Sequence, residues 1–98
     1  MESYYFIFEV EPQRENPVIS HVSRAVAHLW VVSADIDEAR NRALEFLNAE
    51  RWESPVEKDG YLLTPERIEG LGVEELAEYQ AAQSGGIQAK FYYWHRSE

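Results

Sequence analysis

The sequence predicts an α+β fold, a two-layer sandwich in which helices back a mostly antiparallel sheet. Two observations predict the class. Apolar residues alternate with a period of two in several segments, most clearly in "SYYFIFEVE" at residues 3–11 and "KFYYWHRSE" at 90–98. Between such runs, two segments carry apolar residues at helical spacing instead. The 98 residues show no internal repeat, linker or low-complexity tract, so residues 1–98 are expected to form a single domain.

The first strand is expected at Tyr4–Val10, with Tyr4, Phe6, Phe8 and Val10 on one face and Tyr5, Ile7 and Glu9 on the other. "EPQRENP" then reads as a loop between Pro12 and Pro17. The second strand spans Val22–Ser33, and both its faces are apolar: Ala25, Ala27, Leu29 and Val31 against Val26, His28, Trp30 and Val32. Such a strand belongs in the middle of a sheet covered on both sides. Asp35 is placed to cap a helix, with Glu38 three residues on. That helix runs to about Glu50 and buries Ile36, Ala39, Ala43, Phe46 and Leu47.

"WESPVEKDGYLLTPER" reads as a hairpin, because Asp59-Gly60 is a two-residue turn signal between Trp52–Lys58 and Tyr61–Leu63. Thr64-Pro65-Glu66 caps a short helical turn. A second main helix covers Val73–Ser84 and stops at Gly85-Gly86, and Ile87–His95 forms the last strand. The resulting order is ββαββαβ: a ferredoxin-like βαββαβ with an extra N-terminal strand. In that arrangement both helices share one layer and the opposite sheet face is open.

Composition narrows the function. Eighteen acidic against nine basic residues give a net charge of −9, and the cations are scattered along the chain. A phosphate backbone or an anionic membrane would be repelled, so neither nucleic acid nor membrane is an expected partner. A basic protein surface is a better match. No cysteine is present, which excludes disulfides and thiolate chemistry and suits a reducing compartment. Glu2, Glu9 and Glu11 break what a signal peptide would need to be basic and then apolar, so a cytoplasmic location is expected.

No catalytic motif stands out, and the protein is expected to be non-enzymatic and to carry no cofactor. The three histidines, His21, His28 and His95, have no metal-ligand spacing, so no metal is expected. The informative feature is the aromatic content of strands that should alternate with polar residues. Tyr5, His28, Trp30, Tyr93 and His95 are the candidates for an interface or ligand pocket, because large apolar surface on an open sheet face calls for a cover. The cover would be a second copy in a homodimer or another protein.

Glu66, Glu69, Glu74, Glu75 and Glu78 form a candidate acidic surface. An immunity- or antitoxin-like inhibitor of a basic enzyme would use such a surface to steer its partner. The alternative is a small-ligand-binding domain, or a small enzyme of the dimeric α+β barrel type, with a pocket near His28, Trp30, Tyr93 and His95.

Overall fold

Strand β1 (Glu2–Pro12) runs through the middle of the sheet and organises it. The computed structural model describes residues 1–96. β1 pairs antiparallel with β2 (Val22–Ser33) on one side and with β3 (Trp52–Leu62) on the other; β4 (Ile87–His95) pairs antiparallel with β2. The sheet is therefore four-stranded, in the order β3-β1-β2-β4. Helix α1 (Ile36–Ala49) joins β2 to β3, and helices α2 (Pro65–Glu69) and α3 (Val73–Gly85) join β3 to β4. Among the described residues the protein is α+β, with three α-helices and one short 3-10 turn at Pro17–Ser20. Among the described residues, no helix is long and apolar enough to cross a membrane.

α1 forms as its sequence requires. Asp35 accepts the amide of Glu38 at 2.8 Å, and Asp37 and Glu38 sit at the positive end of the helix dipole. Ala39, Ala43 and Leu47 are the buried stripe, one turn apart. They meet Tyr4, Phe6, Phe8 and Val10 of β1 and Ala25, Ala27, Leu29 and Val31 of β2 in one cluster. The large aromatics of β1 fit because alanines flank them on the helix and on the next strand. Burying Leu47 alone is worth about 1.5–3 kcal/mol. The helix ends without a glycine: Arg51 takes the left-handed conformation, φ 69°, and its carbonyl accepts from the Gln13 amide and the Asn16 Nδ2.

The expected hairpin at 52–63 is instead one continuous strand, so five expected strands become four and the ferredoxin-like ββαββαβ order is replaced by ββαβααβ. Asp59 and Gly60 do not turn; they pair with Ile7 and Phe6 of β1. The glycine is there for space. A Cβ at residue 60 would lie 2.7 Å from Cδ1 of Phe6, so the Phe6 ring occupies the volume of the missing side chain. Arg40 of α1 lies over the same ring, 5.7 Å from its centroid. The continuous strand is nonetheless locally irregular. The β1–β3 register shifts between Ile7 and Phe8 and again between Glu9 and Glu11, and Ser54 has φ 53°.

The helices do not share a layer. α1 and the sheet form a two-layer sandwich, but α3 lies against the opposite face, where Ala82 and Tyr79 pack on Tyr5, Trp30 and Leu63. The reason lies in the period of β1 and β2: both of their faces are apolar, and each face needs its own cover.

Gly60→Ala is expected to destabilise the protein by about 1–3 kcal/mol, the usual cost of overpacking a filled core. Gly85→Ala, with nothing within 4 Å of the added methyl, should be neutral or slightly stabilising. Adding Phe6→Leu to Gly60→Ala should recover part of the loss in urea denaturation. A double variant no better than the sum of its parts would show that the ring is not what requires glycine.

Candidate functional site

Register decides which aromatics meet. On the face away from α1, β1 presents Tyr5, Ile7 and Glu9; β2 presents Val26, His28 and Trp30; and β4 presents Lys90, Tyr92 and Trp94. α3 covers only one end of this face. Its single buried residue is Ala82, near its C-terminus, while Val73 at its start is 89 % exposed. Where the first turns of α3 stand over the uncovered sheet, a groove of about 450 Å³ opens. Tyr5, His28, Trp30 and Tyr92 line it from the sheet. Val73, Glu74, Glu75 and Glu78 line it from the helix, and Lys90 stands at the rim.

A hydrogen-bonded pair sits on the sheet side of the groove: the Tyr5 hydroxyl and His28 Nδ1. Burial pushes the Tyr5 phenol well above its ordinary range, reinforced by Tyr61 and Glu75, so it stays protonated. Burial also holds the His28 imidazole below its ordinary value; Glu75 acts against this and Lys90 acts with it. With both groups neutral, the phenol O–H donates to Nδ1, and the histidine proton resides on Nε2. A protonated tyrosine offers a donor, not a nucleophile. Trp30 stacks at a tilt on Tyr5, 5.1 Å between centroids, and Tyr92 meets His28 edge-on at 5.2 Å. Trp30 is 2 % exposed, and its Nε1–H has no acceptor among the described residues.

The helix side is acidic and partly engaged. Glu74 takes the Lys90 ammonium at 3.1 Å, and Glu78 accepts from Gln88 at 2.8 Å. Glu75 makes no hydrogen bond or ion pair among the described residues. Lys90 is held in its charged form, mainly by its hydrogen bond to Glu74.

Of the five aromatic-face candidates, Tyr5, His28 and Trp30 come together and Tyr93 and His95 do not. β4 pairs Ala25 with Tyr93 and Val26 with Tyr92, which puts odd-numbered β4 residues on the α1 face. Tyr93 there stacks near Trp52 at 6.0 Å, and His95 lies on His21 at 5.9 Å. The candidate acids divide too: Glu74, Glu75 and Glu78 line the groove, whereas Glu66 and Glu69 sit on α2 outside it. The acids of α1 lie on the opposite side of the sheet from those of α3. Tyr92 and Lys90 were missed. The pairing of small with large, Ala25 with Tyr93 and Ala27 with Phe91, is the signal that fixes the register and would have found them.

Among the described residues, no group of three or more histidines and carboxylates is placed to hold a metal ion. No protein-family model, no curated protein and no solved structure matches this chain.

Folding lowers the His28 pKa below the value of about 6.5 it has in an unfolded chain. As pH falls below that value the unfolded chain takes up the proton first, so this group subtracts stability in acid and contributes none above it. The groups facing it are Tyr5 from β1, Lys90 and Tyr92 from β4 and Glu75 from α3. An NMR titration should therefore give His28 a midpoint under ~6.5. A midpoint at or above that value would contradict the burial of the ring.

Proposed function

We propose that this protein is a binding module whose working site is the groove between α3 and the uncovered half of the sheet, and that its ligand is a small organic molecule. The observation that carries this is the groove itself: about 450 Å³, with aromatic walls on one side and convergent polar groups on the other. Ligand sites are concavities of about 300–1,000 Å³ in which apolar walls meet polar groups that fix orientation; this groove falls in that size range, and its lining is more charged than most. The neutral Tyr5–His28 pair supplies fixed, uncharged hydrogen-bonding groups to the aromatic wall. A cytoplasmic setting suits a chain with no cysteine.

A screen of low-mass compounds of mixed charge, read by amide and indole NMR shifts, tests the proposal. Hits should perturb Tyr5, His28, Trp30, Val73 and Tyr92 together. Tyr92→Ala, at a half-exposed position, should weaken them by about two- to tenfold, the worth of one aromatic contact. Hits that map elsewhere, or no hit at the groove, would overturn it.

A second reading is favoured by the contrast between the two sheet edges. β3 is blunted by its bulges and by Glu53, Pro55, Glu57 and Lys58. β4 has no proline and Lys90 is its only formal charge, yet Tyr92, Tyr93 and Trp94 are 52 %, 44 % and 49 % exposed. In a chain of charge −9, this is an edge along which two copies could pair antiparallel without acid repulsion. Light scattering should give twice the 11.4 kDa chain mass, reverting to 11.4 kDa when a proline replaces Tyr93. A wild-type monomer at high concentration would end this reading and leave the groove untouched.

A further inference from the structure

The groove already binds one cation, its own. The Lys90 ammonium sits at the rim with Glu74 at 3.1 Å and the Tyr92 ring centroid at 5.6 Å. A carboxylate and an aromatic face together are the two elements by which proteins hold ammonium groups. The rest of the lining repeats this chemistry without a cation to use it. Glu75 lacks a partner among the described residues, and Glu78 has only a neutral amide. The half-exposed Tyr92 and the partly buried His28 supply ring surface beside them, with Tyr5 and Trp30 forming the floor behind. Three carboxylates against one ammonium leave the groove lining at a formal charge of −2, counting Glu74, Glu75 and Glu78 as −3 and Lys90 as +1.

We infer that the groove selects small organic cations, amines carrying a flat apolar body, with the ammonium directed to Glu75 and Glu78 and the body laid on the aromatic wall. This rests on the reading of the groove as a ligand site and adds the chemical class of the ligand. Neutral molecules of the same shape use the wall alone. Anions meet the carboxylates and are excluded. Charge attraction from several carboxylates also draws the cation in, an effect that salt screens.

The competing explanation is that these glutamates only keep the surface soluble, as elsewhere on this acidic chain. Benzylammonium, benzyl alcohol and benzoate, which share one ring and differ in charge, separate the two. Each is titrated into the full chain, with shifts followed at Tyr5, His28, Trp30 and Tyr92. Benzylammonium should bind at least about tenfold more tightly than benzyl alcohol, benzoate should not bind, and the advantage should shrink in ~1 M salt.

Glu75→Gln should weaken benzylammonium by about fivefold and leave benzyl alcohol unchanged, in line with a cation–π and carboxylate site losing one charge. Glu69→Gln removes the same charge outside the groove and should have no effect on either. Equal binding of benzylammonium and benzyl alcohol at the groove would overturn the cation selectivity while the ligand site stands. Equal loss in Glu69→Gln and Glu75→Gln would overturn it too, since only net charge would then matter. Shifts at none of the groove residues with any of the three probes would overturn both.

Discussion

The pairing of β1 on both sides is the constraint from which the remaining architecture follows. A strand hydrogen-bonded to neighbours on both edges, with aromatic or aliphatic residues on both faces, commits the sheet to two interiors. The larger interior is closed by α1, whose Ala39, Ala43 and Leu47 lie against Phe6 and Phe8. The smaller is closed by α3 through little more than Ala82 and Tyr79. The chain supplies one well-patterned helix and one weakly patterned helix for two faces. The shortfall shows where it has to: at the start of α3, where Val73 stands clear and the sheet beneath it is left partly bare.

Incomplete cover gives the groove its mixed character. The sheet contributes side chains chosen for a core, so Tyr5 and Trp30 are nearly buried and hold polar atoms in a poorly hydrated place. The helix contributes side chains chosen for water, so its carboxylates project from the other wall. Meeting at one opening, the two make a site that is apolar on one side and charged on the other. Lys90 reaches between them, its ammonium held by Glu74 beside the Tyr92 ring.

Local signals in the sequence identify structure where one residue type answers one local demand. Asp35 caps α1, Thr64 caps α2 and Gly86 ends α3 in the left-handed conformation, each for reasons contained within a few residues. Such signals mislead where the demand comes from a distant segment. Asp59-Gly60 carries a strong turn signature, but the glycine answers to Phe6, more than fifty positions away, which no window around residue 60 reveals. The same limit split the site. Alternation along β4 separates Tyr92 from Tyr93, yet only the pairing with β2 tells which of them stands beside His28.

The contact between Phe6 and Gly60 also constrains descent. A ring that fills the place of another residue's side chain ties two positions into one inherited unit. A related chain carrying any side chain at the position of Gly60 must carry something smaller than phenylalanine at the position of Phe6. A chain that keeps the ring must keep the glycine. The pair is thus a signature by which a distant cousin of this protein could be recognised after the surface, the groove and the edges had all diverged.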